Sequence, residues 1–379
     1  MLRLRTLLAC ALAVPVLADH AKQQQRRRDS DPTQPVGTNP IAKFATTYLG
    51  QQNANNSCSH RDLGFTGELQ GRWYALFGDT LWCAQPLTDP GRDNASEFHG
   101  MVRDSLSLTT DDPLVVVDLH LNDDSPVRHQ RQFVPFNASW GEDNTYGFGG
   151  TSLVETADGA GAVFYLVNAN SAGLQGAGVA KVELVDGAPT VTQRLGASGY
   201  WWPAASTPRY GDAAAFRDPR SDYVYAWGGA PTSVTDTTDA QYVYLARVRA
   251  ADAYDLARYE YWWGAAAGGW KTAEPLTQFG ARNAVMWFVG QGQFVWSEFW
   301  GVYVFVHLGP GSGDVLLRTA TALEGPWTPD VKVYTATPID GGLTYAGVAH
   351  PYLDPSGQTL TISFTNNNHI EVIKVAFSK

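Results

Sequence analysis

Short runs in which apolar and polar residues alternate recur along most of the chain, and turns containing Gly, Asp or Pro separate them. Alternation with a period of two residues is typical of strands that bury one face. The pattern restarts near Asp62, Tyr146, Trp201, Asn283 and Tyr345. Units of about 50 to 85 residues with up to four strands each are typical of propeller blades. The chain therefore predicts five blades.

The last of these units is one strand short of the others, whereas residues 41–49 form a predicted strand near the N-terminus that has no unit of its own. We therefore predict an all-β, five-bladed β-propeller whose ring is closed by N-terminal and C-terminal strands. Residues 41–379 then form a single catalytic domain. A sandwich of two sheets is the alternative, but sandwiches seldom restart with such regularity.

Composition supports a strand-rich fold, because 13 Trp, 17 Tyr and 16 Phe occur together with 38 Gly and 21 Pro. Aromatic residues favour strands, and Gly and Pro favour turns. The formal net charge of −10 makes nucleic acid and anionic membrane surfaces poor partners. We expect a monomer that binds a polysaccharide or oligosaccharide, with no nucleic acid and no membrane as partner.

The first residues have the charged, apolar and small-residue zones of a secretory signal peptide, which we assign to residues 1–18. Residues 19–40 read as a pro-segment or disordered lead-in. We expect a secreted, extracellular protein. Outside the signal lie only Cys58 and Cys83, which an oxidising compartment would join as a disulfide. Asn-x-Ser sequons suggest glycosylation at three positions, namely Asn55, Asn94 and Asn137.

Residues 60–80 read as two short strands joined by a tight turn, with Asp62 near the start of the first strand and Asp79 near the end of the second. A hairpin returns the chain to the edge it left, so these two carboxylates should be neighbours. A disulfide between Cys58 and Cys83 would close the same end. Paired carboxyl groups are the usual catalytic groups of glycoside hydrolysis, although aspartates also cap turns.

In a propeller, the innermost strand of each blade starts at the face that binds ligands. This placement predicts a pocket of aromatic, amide and charged side chains, which suits the apolar faces and hydroxyl groups of a sugar. The predicted substrate-binding residues are His60, Arg61, Arg103, Tyr146, Trp201, Trp202, Gln291 and His350. His99 is a further acid/base candidate, and Glu298 is a third candidate carboxylate despite its place in a turn at the far end of its blade. For His99 and His350, burial with backbone partners is an equal alternative.

Two other functions stay open at this point. A polysaccharide lyase would abstract a proton beside a uronate carboxylate, with Tyr146 or His99 as base and Arg61 or Arg103 beside the carboxylate. A secreted glycan-binding propeller would bind sugar without cleaving it. No His/Cys/Asp cluster has zinc-site spacing, and we expect no cofactor, although calcium bound by scattered Asp and Asn residues stays open.

Several segments together resemble the domain-of-unknown-function 4185 family, which overlaps glycoside hydrolase family 183. They are Asp62-Leu-Gly, Leu76-Phe-Gly-Asp-Thr80, Tyr223-Val-Tyr-Ala-Trp-Gly228, Val243-Tyr-Leu-Ala-Arg-Val248 and Tyr259-Glu-Tyr-Trp262. The resemblance implies a five-bladed propeller that hydrolyses D-arabinan-type furanosyl linkages with an aspartate pair in its first blade. By motif, that pair is Asp62 and Asp79. Long insertions at residues 85–97 and 120–144 would reshape the rim of the pocket.

Overall fold

The computed structural model describes residues 36–55, 59–83, 98–122, 128–157, 159–169 and 172–379. Five sheets of four to six strands surround a central channel, and a short two-stranded sheet lies beside them. This arrangement is the predicted five-bladed β-propeller. Within the described ranges, no helix has the length and apolar character needed to cross a membrane.

The strands are numbered along the chain, and the first, β1 (Lys43–Gln51), belongs to the last blade. Blade one contains β2 (Asn53–Ala54), β3 (Ser59–Leu69), β4 (Arg72–Cys83), β5 (Phe98–Val102), β6 (Ser105–Thr109) and β7 (Val115–Asp118). The small separate sheet is formed by β8 (Leu121–Asn122) and β9 (His129–Gln130).

Blade two contains β10 (Tyr146–Gly147), β11 (Gly150–Ala157), β12 (Ala160–Ala169), β13 (Gly173–Val185), β14 (Ala188–Arg194) and β15 (Trp202–Pro203). Blade three contains β16 (Ala214–Arg217), β17 (Tyr223–Gly229), β18 (Tyr242–Arg249), β19 (Glu260–Trp262), β20 (Trp270–Thr272) and β21 (Met286–Trp287). Blade four contains β22 (Gly292–Ser297), β23 (Val302–Leu308), β24 (Asp314–Ala320) and β25 (Val331–Thr335).

Blade five consists of β26 (Thr344–Ala349), β27 (Thr359–Asn366), β28 (His369–Ser378) and β1. Short 3-10 helices lie in the connections, at Ala138–Trp140, Asp239–Gln241, Ala250–Asp252, Leu256–Arg258, Ala265–Ala267, Ile339–Gly341 and Pro351–Leu353. β1 pairs antiparallel with β28, from Lys43 opposite Ser378 to Gln51 opposite Glu371. The N-terminal strand therefore completes the C-terminal blade, which confirms the predicted closure of the ring.

The innermost strands of the five blades are β3, β11, β16, β22 and β26, and each packs against the next around the channel. Aromatic side chains fill the spaces between blades. The ring of Trp227 in blade three, for example, stacks on Phe294 in blade four with 3.7 Å between centroids. Both side chains are almost completely buried. Burying a large apolar side chain contributes roughly 1.5–3 kcal/mol, so these contacts hold neighbouring blades together.

The boundaries of blade three differ from the sequence prediction. The predicted start at Trp201 is wrong, because β15 pairs with β13 of blade two, with Trp202 opposite Ala177. The innermost strand of blade three is β16, which begins at Ala214. An apolar run with two tryptophans resembles an inner strand in sequence, but here it packs between blades two and three. β21 likewise pairs with β18 of blade three, so blade four begins at Gly292.

Candidate active site

The hairpin of β3 and β4 brings Asp62 and Asp79 to the same end of blade one. Arg61 pairs with Thr80 and Leu63 with Phe77, and a β-bulge interrupts the register between these pairs. At the bulge, Leu63 has a φ of 64° and Gly64 a φ of 88°. A bulge bends its strand and re-aims the neighbouring side chains. Asp62 therefore sits at an irregular point of the strand, directly across from the segment that carries Asp79.

The carboxyl group of Asp62 is partly buried. Its Oδ2 accepts a hydrogen bond from the Tyr345 hydroxyl at 2.6 Å, and its Oδ1 is buried. A Cβ atom at position 78 would collide with that Oδ1, so only glycine leaves room for the carboxyl group. Burial, followed by repulsion from Asp79, raises the pKa of Asp62 from 3.8 to about 7, against the opposing effects of Tyr345 and the Asp79 backbone amide.

Asp79 has a more open and more polar setting than Asp62. Its side chain is 44% exposed, and its Oδ1 lies 3.6 Å from Nη1 of Arg103. The guanidinium of Arg103 also donates to the carbonyl oxygen of Asn144, from Nε at 3.3 Å and from Nη2 at 3.2 Å. Burial raises the pKa of Asp79, and the positive charge of Arg103 opposes that rise. The two carboxyl groups thus differ in solvation and in charged neighbours.

Hydrogen bonds between inner strands show which residues share the end of the channel that holds Asp62. Nε2 of Gln293 donates to the carbonyl oxygen of Thr66 at 2.9 Å, and the amide of Gly292 donates to the carbonyl oxygen of Ala213 at 3.0 Å. The starts of the inner strands therefore lie at one end. We call this end the mouth and define it by Asp62, Asp79, Arg103, Arg209, Asp212, Gln291 and Tyr345.

Sequence reasoning missed two residues of the mouth. Arg209 and Asp212 precede β16 and form an ion pair, with Nη2 of Arg209 at 2.8 Å and Nε at 2.9 Å from Oδ2 of Asp212. The predicted binding residue Gln291 lies beside them, because its Nε2 donates to the carbonyl oxygen of Asp212 at 3.2 Å. The missed signal is the Gly211-Asp212 pair, which repeats Gly78-Asp79 at an equivalent end of the sheet.

Arg61 does not reach the mouth. Its side chain is only 5% exposed, and Nη1 and Nη2 donate to the two carboxylate oxygens of Asp118 at 3.0 and 3.3 Å. Its Nη1 also lies 3.3 Å from the Ser107 hydroxyl oxygen, so the guanidinium is held among buried groups of blade one. The guanidinium forms a buried ion pair within blade one. The predicted role of Arg61 in binding substrate does not fit this position.

Trp202 and His60 are also buried. Trp202 is 1% exposed, and its Nε1 donates to the Tyr261 hydroxyl at 3.1 Å, so it is a core residue and not part of a pocket wall. Trp201 is half-buried and packs edge-on against Trp202 and Tyr259 in the same interblade core. His60 packs against the ring of His369 at 4.8 Å between centroids. These three rings therefore pack against other aromatic rings of the fold, and Trp202 does not line a pocket as the sequence predicted.

Two further predicted residues lie at the opposite end of the propeller. Glu298 is exposed in the turn between β22 and β23, where its Oε1 accepts a hydrogen bond from Nε1 of Trp296. His350 follows the last residue of β26 and contacts the hydroxyls of Tyr352 and Ser363 at 3.1 and 2.8 Å. Burial lowers the pKa of His350 to about 4. His350 is therefore a buried structural residue. Glu298 lies at the end of its blade that is opposite to the aspartate pair.

Tyr146 lies at the end of blade two that faces the mouth, where β10 pairs with Ala169 and Asn168 of β12. Cys58, Asn94 and the side chains of His99 and Cys83 lie outside the described residues, so the predicted disulfide, the sequon at Asn94 and the role of His99 stay predictions. Asn55 is exposed and Asn137 is half-buried. In the described ranges, no three His, Cys, Asp or Glu side chains are grouped as a metal site requires.

Comparison with known proteins supports the resemblance and the fold. A family model described as a domain of unknown function (DUF4185) matches residues 190–376, which confirms the resemblance to that family. No curated protein sequence matches the chain.

Among solved structures, a protein of Bacteroides ovatus ATCC 8483 described as a proposed hydrolase aligns with a TM-score of 0.56 at 14% identity, over 90% of this chain and 93% of its own. A family 117 glycoside hydrolase of Zobellia galactanivorans aligns with a TM-score of 0.44 at 13% identity, over 89% and 91%. A family 43 β-xylosidase/α-arabinofuranosidase from a compost metagenome aligns with a TM-score of 0.49 at 13% identity, over 87% of this chain and 95% of its own. At such identities the first alignment describes the fold alone.

Proposed function

We propose that the chain is a secreted glycoside hydrolase in which Asp62 and Asp79 are the catalytic carboxyl pair. The observation that carries the proposal is that these two residues lie on paired strands at the mouth, where burial raises the pKa of Asp62 to about 7 and Arg103 opposes the rise at Asp79. Glycoside hydrolysis needs one carboxyl group that holds a proton and one that is ionised. The pair at the mouth supplies both within one hairpin.

Asp62 fits the role of general acid. With a pKa of about 7, it keeps its proton in mildly acidic solution, in which an exposed aspartate would be ionised. A proton held there can be donated to the glycosidic oxygen of the leaving sugar. The Tyr345 hydroxyl donates a hydrogen bond to Oδ2 and thereby fixes the orientation of the carboxyl group.

Asp79 fits the role of the ionised partner. Its carboxylate is the more exposed of the two, and Arg103 beside it favours the charged form. An ionised carboxylate on the other side of the scissile bond activates a water molecule or attacks the sugar directly. For the substrate we propose arabinan-type furanosyl linkages or related linkages of cell-wall polysaccharides, as the family resemblance implies.

The test is an assay of the purified protein against arabinans, arabinogalactans and uronate-containing gums, with reducing ends and ultraviolet absorbance followed in parallel. We expect new reducing ends without ultraviolet absorbance, and loss of activity by more than about 100-fold in folded Asp62→Asn and Asp79→Asn variants. Asp255→Asn is a matched control, because Asp255 belongs to an exposed ion pair with Arg258.

Three results would contradict the proposal. An unsaturated product that absorbs in the ultraviolet would assign the chain to the lyases, and full activity in the two aspartate variants would remove the pair from the reaction. Binding of a glycan without any cleavage would identify a sugar-binding propeller.

A further inference from the structure

The mouth contains a third carboxylate, Asp212, for which the two-carboxyl mechanism has no role. Its side chain is 19% exposed, and the side chain of its partner Arg209 is 17% exposed, so both remain accessible to solvent. Arg209 holds Oδ2 through two nitrogen atoms and also donates from Nη1 to the carbonyl oxygen of Ala230. Arginine bound by three such contacts is a rigid support, and it fixes the direction of the Asp212 carboxylate.

The surrounding backbone is shaped around this ion pair. A Cβ atom at Gly229 would collide with Nη2 of Arg209, and a Cβ atom at Gly228 would collide with the backbone of Arg209. The last two residues of β17 therefore have to be glycines for Arg209 to reach Asp212. Gln291 holds the backbone of Asp212 from the side of blade four. Contacts from blades three and four thus fix one carboxylate at the mouth.

The charges of the mouth are balanced without a substrate. Arg103 faces Asp79, and Arg209 faces Asp212, so both guanidinium groups assigned to the mouth already have a carboxylate partner. Asp62 is neutral while it holds its proton. A uronate carboxylate entering this space would have to compete with Asp79 and Asp212 for their arginines, on a protein whose formal net charge is −10. Sugar hydroxyls, in contrast, can donate hydrogen bonds to a fixed carboxylate.

We propose that Asp212, held by Arg209, accepts hydrogen bonds from hydroxyl groups of a neutral glycosyl unit, so that the mouth selects neutral glycans over uronate-containing ones. This inference rests on the proposed function for its location, because it concerns the same mouth. It assigns Asp212 to substrate positioning and not to the transfer of a proton.

The experiment is calorimetric binding of neutral arabino-, xylo- and galacto-oligosaccharides and of an oligogalacturonate to the full chain and to an Asp212→Asn variant. We expect at least one neutral oligosaccharide to bind the unmodified protein more tightly than the oligogalacturonate does. Hydrogen bonds to charged groups contribute about 1.5–3 kcal/mol, so Asp212→Asn should weaken that binding by about 10- to 150-fold. Asp255→Asn, in an exposed ion pair of the same i,i+3 spacing, should bind like the unmodified protein.

Kinetics on the best neutral substrate then separate positioning from catalysis. Asp212→Asn should raise KM, while the pH dependence of kcat, which reports the aspartate pair, keeps its midpoints. If Asp212→Asn fails to fold, Asp212→Glu keeps the charge but moves the carboxylate by one methylene, and it should show the same rise in KM.

The outcomes distinguish this inference from the proposed hydrolase. Neutral sugar bound through Asp212 without any hydrolysis would support the inference and refute the hydrolase. Unchanged binding in folded Asp212→Asn, tighter binding of oligogalacturonate than of every neutral sugar, or no binding of any neutral sugar would overturn the inference.

Discussion

Replacing Asp62 by Asn should make the folded protein more stable in neutral and basic solution, even as it removes the proposed acid. Asn has nearly the shape of a protonated Asp and can still accept the hydrogen bond from Tyr345. It cannot ionise. The variant therefore isolates the free energy of placing a negative charge at this buried position next to Asp79.

The pKa of Asp62 gives the size and the direction of the effect. The value rises from 3.8, the usual value of an aspartate, to about 7 in the folded protein. Between these two pH values the unfolded chain has lost the proton and the folded chain has kept it, so the free energy of unfolding falls as pH rises. A shift of this size corresponds to about 4 kcal/mol. This loss of stability is absent below pH 3.8 and complete above about pH 7.

The assay is urea unfolding of the unmodified protein and of Asp62→Asn at a series of pH values from 4 to 8.5, with Asp255→Asn as an exposed control. We expect the stability difference between Asp62→Asn and the unmodified protein to be small at pH 4 and to grow to several kcal/mol in favour of the variant above pH 7. A difference that does not change with pH, or a variant that is less stable at pH 8, would refute the reasoning that burial and Asp79 make the Asp62 charge costly.

Three further changes test the same site. Tyr345→Phe removes a donor to the Asp62 carboxylate, so the basic limb of the pH–rate profile should move to higher pH; an unmoved limb would show that the contact does not act on the acid. Arg103→Gln removes the charge that favours ionised Asp79, so the acidic limb of the same pH–rate profile should move to higher pH. Gly78→Ala should displace the Asp62 carboxyl group and lower kcat by more than about 10-fold, with a loss of about 1–3 kcal/mol in urea unfolding; full activity would contradict the predicted collision.

The sequence determined the features that depend on local pattern. Alternating strands, repeated restarts and the spare strand of residues 41–49 were enough to predict five blades and the closure that β1 and β28 form. The juxtaposition of Asp62 and Asp79 was predictable for the same reason, because a hairpin has only one way to return. Contacts between neighbours in sequence need no knowledge of the rest of the fold.

Tertiary structure decided the features that depend on which side of a strand, or which end of a blade, a residue occupies. The sequence predicts Arg61 beside the sugar, but its guanidinium lies in a buried ion pair with Asp118 of the same blade. Trp202 was expected in the pocket but fills the space between two blades. Apolar and charged residues read alike in sequence whether they face a core or a ligand.

The mouth itself is the clearest product of tertiary structure. Tyr345 lies 283 residues from Asp62 in sequence, and yet it donates the hydrogen bond that orients that carboxyl group. Arg209 and Asp212 were missed because the sequence pattern places the start of blade three at Trp201 and not at β16, which these two residues precede. Blades that are distant in sequence become neighbours only when the ring closes. The sequence by itself therefore determined the ring and its carboxyl pair, whereas packing around the channel decided which other side chains surround that pair and what charge they present to a substrate.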